Sequence, residues 1–373
     1  MIKKILKVIS EKSFYFLKPK KVDIVLYDRI TEKVFRELKI NKKYTVLDKE
    51  KLNIYVIFFC LMRLKCSYES YFKAYINFIK PKIVITLADN DIIFFKLKKN
   101  SKIPFVVVQN GYRFPSEKNF FRDLKKNKGN LSVDYFFLYN KFYSNLLNKY
   151  ITFKPIIHGS IKNNNILINK KNKIDILFVS QFHTNKYHLQ SYKVFTKKIF
   201  SFLNYYCKKK NIKIAILLRS PKFSKNFLIE KNFYDNLCNL SFKIFYKKKI
   251  NDFKTAYNYI DAANIILTID STLGYEALTR RKKVVFFHTR SLDKIKRSFG
   301  WPKKFKNNKK DFIPVRFDHK YLTQYFEKNI NINYNKWSKK YETFIRDIMF
   351  FDSQNKKLID TINYILKSST RQS

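Results

Sequence analysis

Asn264-Ile265-Ile266-Leu267-Thr268-Ile269-Asp270-Ser271-Thr272-Leu273-Gly274-Tyr275-Glu276-Ala277-Leu278, running on into Lys283-Val284-Val285-Phe286-Phe287, is the stretch that decides how this chain is read. Residues 264–269 are a short apolar run rich in β-branched side chains, the pattern of a strand buried on both faces. Asp270-Ser271-Thr272 supplies three consecutive helix-start residues, whose side-chain oxygens accept from otherwise unpaired backbone N–H groups. A short helix over 273–280 and a second buried strand over 283–287 complete a βαβ unit. A helix start with small hydroxyl side chains beside it makes a site for phosphate. Glu276, one turn on, is placed to reach a sugar hydroxyl of a ligand whose phosphates sit at that terminus. The competing reading is an ordinary helix cap followed by a solvated glutamate.

The same alternation extends outward in both directions. Towards the N-terminus it gives strands at 242–246, 212–218 and 174–180, with helices near 254–261, 225–236 and 188–208 between them. An earlier series has strands at 22–27, 44–47, 82–87, 105–108 and 134–138, with helical stretches near 29–38, 52–79 and 140–149. Residues 2–17 place Ile2, Ile5, Leu6 and Ile9 on one helical face, the pattern of a first helix that rests on its own domain or on anionic lipid. Between Gly159 and Lys173 large apolar side chains become sparse, which marks a crossing between domains. The expected fold is α/β, with two Rossmann-like domains facing each other across a cleft, and ligand-contacting turns at the strands' carboxyl ends. The expected boundaries are 1–158 for a first Rossmann-like domain, 159–173 for the crossing and 174–336 for a second. Residues 337–373 carry terminal helices that return across the junction.

The formal charge of +50, from 78 basic and 28 acidic residues, points first to nucleic acid, then to an anionic membrane surface or phosphorylated substrates. Lysines, however, are spread along the whole chain, together with Asn, Ile, Phe and Tyr, as compositional bias produces. No helix-turn-helix, zinc-finger, RRM or KH signature accompanies the charge, so a nucleic-acid-binding protein is the reading from another class that the motifs disfavour. Four cysteines without C-x-x-C spacing fit free thiols in a reducing cytoplasm. No secretory signal is visible, and the longest apolar run, Ile54 to Met62, is far short of a membrane span. The expected location is therefore cytoplasmic, with peripheral contact at an anionic inner membrane.

Further candidate residues fall at strand ends. In the second half these are Ser180 with Gln181, and Arg219 with Lys222, where the planar fork of Arg219 suits a diphosphate and Lys222 adds a point charge. In the first half, Asp89-Asn90-Asp91 has a D-x-D form, through which paired carboxylates hold a divalent metal or act as general base on an acceptor hydroxyl. A helix N-cap is the plainer role for Asp91. Gln109-Asn110-Gly111 marks a tight turn after a strand. His183 follows another strand end, and the Gly300-Trp301-Pro302 loop follows the last. No G-x-G-x-x-G, Walker loop, G-x-S-x-G or zinc spacing is present.

Taken together, Asp89-Asn90-Asp91, Gln109-Asn110-Gly111, His158-Gly159-Ser160, Asp270 to Ala277 and Phe299-Gly300-Trp301-Pro302 resemble the bacterial surface-carbohydrate or O-antigen biosynthesis proteins related to GT-B glycosyltransferases. The likeness spans roughly residues 80–305 and is most specific in Ser-Thr-Leu-Gly-Tyr-Glu-Ala. It implies a nucleotide-sugar co-substrate in the second domain, a glycan or lipid-linked acceptor in the first, and no required cofactor or metal. On this chain it implies that Ser271 and Thr272 hold donor phosphate and Glu276 the ribose. The chain departs from the family pattern at Thr279-Arg280-Arg281, where a small residue and a glycine are expected. The implied activity is glycosyl transfer, with sugar-nucleotide epimerisation or polyol-phosphate transfer as alternatives in the same architecture.

Overall fold

The computed structural model describes residues 13–65, 67–112, 118–169, 173–182, 186–237, 242–249, 252–269, 271–287 and 309–370. Internal contacts group them into two compact units, one within 1–111, 117–165 and 352–373, the other within 112–116 and 166–351.

In the first unit the elements run β1 (Ser13–Tyr15), β2 (Ile24–Tyr27), α1 (Arg29–Arg36), β3 (Tyr44–Leu47), β4 (Lys51–Asn53), α2 (Ile54–Met62), α3 (Tyr68–Ile79), β5 (Ile83–Thr86) and α4 (Ile92–Leu97). There follow β6 (Phe105–Val108), α5 (Lys118–Lys126), β7 (Ser132–Leu138), α6 (Lys141–Leu147), β8 (Thr152–Ile157) and α7 (Ile161–Asn164), and the C-terminal helix Lys356–Thr370 belongs here too. Six strands form a wholly parallel sheet in the order β3-β2-β5-β6-β7-β8. Strands β2, β5 and β6 are buried along their full length, as near-continuous apolar runs require when both faces are covered. The residues expected to begin the chain as one helix do not all do so: Ser13–Tyr15 pairs in parallel with β4, and residues 2–12 lie outside those described.

In the second unit β9 (Ile174–Val179), α8 (Lys186–Lys210), β10 (Ile214–Leu217), α9 (Phe227–Asp235), β11 (Lys243–Phe245), α10 (Phe253–Ala262), β12 (Ala263–Thr268), α11 (Thr272–Thr279) and β13 (Lys283–Phe286) alternate. After them come α12 (Lys309–Phe312), α13 (His319–Asn331) and α14 (Tyr334–Ile348). The sheet is again parallel throughout, in the order β11-β10-β9-β12-β13. Its core joins Phe178, Ile216, Leu267 and Val285 of the strands to Phe195, Ile199 and Leu203 of α8 and to Phe326 of α13. The α/β alternation with doubly wound parallel sheets is thus the fold of both units. Cys60 and Cys207 are buried, while Cys66 and Cys238 lie outside the described residues.

Candidate functional site

In the second sheet β9 and β12 are neighbours, but the chain leaves them in opposite lateral directions, β9 to β10 and β11, β12 to β13. That divergence opens a crevice at the carboxyl ends of the two strands, where open α/β sheets bind ligands. The stretch after β12 reaches this place. Ser271 is the N-cap of α11, in extended backbone, and its Oγ accepts from the Leu273 amide (3.2 Å). The Gly274 amide donates to the Ser271 carbonyl (3.0 Å), while neither the amide nor the hydroxyl of Thr272 donates to another described residue. One backbone donor and two small hydroxyl groups therefore remain at the positive end of the helix. Thr268, fully buried at the end of β12, accepts from the Ser271 amide (3.4 Å) and fixes where the turn begins.

Gly274 lets α11 lie against the sheet. A Cβ there would come within 2.7 Å of both Phe286 and Thr268. Beside it, Tyr275 is fully buried and stacks on Tyr112 at 4.1 Å between ring centres. Glu276 is 5 % exposed and is engaged with the protein, so the solvated glutamate of the competing sequence reading is not what forms.

The family departure at the end of α11 has a structural answer. Arg281 takes the left-handed conformation (φ 61°) that a glycine would adopt without strain. Arg280 is buried, donates from Nε to Asp261 (2.7 Å) and from Nη1 to the Ile166 carbonyl (2.9 Å), and pairs through Nη2 with the same carboxylate. Asp261 also accepts from the Asn169 amide (2.9 Å), so one buried ion pair ties α10, α11 and the segment 166–169 together.

The loops after β9 and β10 are organised by a residue that sequence reasoning missed. Glu230, on α9 and fully buried, accepts from the Ser180 hydroxyl (2.5 Å), the Arg219 amide (2.9 Å) and the Ser220 amide (2.8 Å). Tyr234 donates to Ser180 Oγ (2.9 Å) and lies 2.6 Å from the Tyr192 hydroxyl. Ser180 is therefore turned inward, 4 % exposed, as the pin of the β9 turn. Arg219 is exposed, with Nη1 donating to the Phe182 carbonyl (3.1 Å). It sits two strands from the start of α11, about 10 Å along the same sheet edge. Lys222 turns towards β11 instead, its amide on the Lys247 carbonyl (3.0 Å) and its Nζ 5.9 Å from the Tyr246 ring.

In the first unit the corresponding divergence is between β2 and β5. Asp91 caps α4: Oδ1 accepts from the Ile93 amide (3.0 Å), and Oδ2 takes the Tyr27 hydroxyl (2.9 Å) and Lys49 Nζ (2.5 Å). Both oxygens are occupied, which is the geometry of the plainer capping role. Asp89 is 2 % exposed and engaged. Asp28, which the sequence reading did not single out, ends β2 with φ 81° and accepts from the Thr31 amide (2.7 Å) and the Thr86 hydroxyl (3.3 Å). Burial pushes its carboxyl above the ordinary range. Gln109 bridges strand ends, Nε2 donating to the Gly111 carbonyl (2.9 Å) and Oε1 accepting from the Tyr139 amide (2.9 Å). Asn110 Oδ1 is a buried acceptor with no partner among the described residues. His158 is fully buried, and burial lowers its pKa to about 4. The imidazole is neutral near pH 7, so its approach to Asp352 (3.6 Å) is not an ion pair.

His183, Asp270 and Trp301 lie outside the described residues. Among those described, no group of three His, Cys, Asp or Glu side chains is gathered to hold a metal ion, and no helix is long and apolar enough to cross a membrane.

Solved structures share this fold. Over 94 % of this chain and 97 % of its own, the UDP-bound MnaA of S. aureus superposes with a TM-score of 0.53 at 13 % identity. The UDP-GlcNAc 2-epimerase of Methanocaldococcus jannaschii, in complex with UDP-GlcNAc and UDP, gives 0.51 at 14 % identity, covering 91 % of this chain and 99 % of its own. The wall teichoic acid polymerase TagF gives 0.52 at 13 % identity, covering 96 % and 91 %. No curated protein matches by sequence. Residues 106–366 match a family described as "putative O-antigen biosynthesis protein", a span that takes in the β9 turn, the Glu230 network and the whole of α11. The chain belongs to that family.

Proposed function

We propose that the chain is a glycosyltransferase that moves a sugar from a nucleoside-diphosphate donor to a surface-glycan or lipid-linked acceptor in O-antigen-type polysaccharide synthesis. The observation that carries this reading is the Ser271-capped start of α11 at the point where β9 and β12 diverge, in a chain of an O-antigen biosynthesis family. In this reading Ser271, Thr272 and the free end of the helix hold the donor phosphates, Arg219 adds charge from the turn after β10, and Glu276 takes the ribose. Catalysis comes from placing two reactants together and stabilising the departing diphosphate with helix-end donors and a guanidinium. Asp89 is the carboxylate proposed to take the acceptor proton, while Asp91 holds its turn.

A second reading, sugar-nucleotide epimerisation, is favoured by the fold shared with the M. jannaschii epimerase. Incubation with UDP-, GDP- and CDP-sugars, with and without a lipid-linked glycan acceptor, separates the two. Transfer predicts nucleoside diphosphate released only when acceptor is present. Isomerised sugar nucleotide without acceptor establishes the second reading in place of the first. Glu276→Ala should raise the apparent donor constant at least tenfold, and an unchanged constant removes Glu276 from the site.

A further inference from the structure

Helix α2 exposes what helices ordinarily bury. Ile54–Met62 holds no charged residue, and it turns Val56 and Cys60 inward. Its outer stripe is Tyr55, Phe58, Leu61 and Met62, which are 43, 61, 51 and 63 % exposed. The spacing i, i+3, i+6, i+7 puts these four on one face. Leu64, just past the helix, is 92 % exposed. Phe16 and Leu17 are 77 and 75 % exposed and join the same surface. Tyr15 pairs with Asn53 in the small sheet at the start of α2, Asn53 Nδ2 donates to the Leu17 carbonyl (2.6 Å), and Lys18 Nζ stands 5.9 Å from the Tyr55 ring. Seven large apolar side chains are thus gathered in one region of the first unit, more than scattered surface hydrophobics explain.

The rim of this surface is cationic. Lys18, Lys20, Lys21, Lys51, Arg63 and Lys65 are all exposed, and no acidic residue occurs within 13–22 or 51–68. The Arg63 guanidinium lies 4.0 Å from the Phe59 ring, which holds its charge beside the apolar stripe. We propose that this face docks on an anionic phospholipid bilayer, with α2 in the interface plane, its apolar stripe among the acyl chains and the six cations at the headgroups. Nine residues of helix, about 14 Å, are too short to cross and suited to lying flat. Charge decides between lipid and a second copy of this chain. Two such rims brought face to face would repel, whereas anionic headgroups neutralise the cations and meet no acidic side chain within 13–22 or 51–68 to repel them. The surface is not the N-terminal helix that the sequence pointed to. It is read by lipid binding alone, so this inference and the proposed reaction fail independently.

Flotation of the full chain with vesicles of 30 % phosphatidylglycerol in phosphatidylcholine, against phosphatidylcholine alone, tests the inference. The chain should float with the anionic vesicles. Phe58→Ser/Leu61→Ser/Met62→Ser, at exposed positions, should cut the bound fraction at least tenfold with an unchanged melting point. Lys197→Gln/Lys198→Gln/Lys208→Gln, at exposed positions on α8, should stay within twofold of the parent. A Leu61→Trp variant should be quenched by brominated acyl chains, which reports burial of that position directly. Equal binding by the serine variant overturns the proposal, as do an equal loss in the glutamine variant and the absence of quenching. A parent that fails to float, yet forms a dimer that the serine variant splits, assigns the surface to a second copy instead.

Discussion

The carboxylate of Glu230 accepts the hydroxyl of Ser180, fifty residues earlier in the chain, and with its remaining capacity takes the amides of Arg219 and Ser220. A side chain on α9 thereby holds the turns after β9 and β10 in register with each other. Glu230→Ala leaves the buried Ser220 amide, the part-buried Arg219 amide and the Ser180 hydroxyl without their acceptor, at a cost of about 3 kcal/mol. Urea denaturation should show that loss. A variant as stable as the parent would mean that the turns are held by something other than this carboxylate.

Gly274 supports a second expectation. Adding a methyl group would drive it to 2.7 Å from Phe286 and Thr268, neither of which is a flexible chain end. Gly274→Ala should therefore destabilise by about 1–3 kcal/mol, the usual range for overpacking a filled core. The melting point should fall, and nucleotide affinity should fall with it, because the start of α11 moves with the helix.

These two residues also show what could be read in advance. Strand 105–108 forms where the sequence placed it, because a continuous apolar run in a doubly covered sheet leaves few alternatives, and strand 44–47 forms at the sheet's edge with Leu47 buried. Strand β8 was missed: Pro155 and an exposed edge position give Thr152–Ile157 no continuous apolar run. Gly274 stood within the recognised motif, although its clash partners came only from the packing. Glu230 was invisible because a glutamate within a helix near 225–236 reads as solvated until Ser180 and Arg219 are known to reach it. The helix expected at 2–17 does not extend over 13–15: Ser13–Tyr15 finds a partner in β4, a contact that no local pattern encodes, while residues 2–12 lie outside those described.

Arg280 and Arg281 are adjacent and should behave oppositely. Arg280→Ala strands the buried Asp261 carboxylate and should cost about 3–5 kcal/mol. Arg281 is exposed and holds a left-handed φ, so Arg281→Gly should be neutral or stabilise by up to about 1 kcal/mol. Equal destabilisation by both would contradict the division of labour between them. Chemical denaturation of the two single variants decides.

His158 predicts a pH dependence. Burial lowers its pKa from 6.5 to about 4, so between those values the unfolded chain binds the proton and the folded chain does not. Stability from this group is fully present above pH 6.5 and is lost as the pH falls towards 4, about 3 kcal/mol in all. The buried carboxyls of Asp28 and Asp352, raised by burial, act in the opposite sense at the acid end of that range. Comparison with His158→Leu isolates the histidine. The urea midpoint of the parent should fall more steeply than that of the variant between pH 6.5 and 4.5.

The claim on which the function rests is that the start of α11 binds a nucleoside diphosphate. Calorimetric titration of the parent and of Ser271→Ala/Thr272→Val with UDP, GDP and CDP tests it, provided circular dichroism shows both folded. At least one of the three should bind the parent, with affinity at least tenfold weaker in the variant. Equal affinity in the two proteins, or no binding of any of the three to the parent, would contradict it.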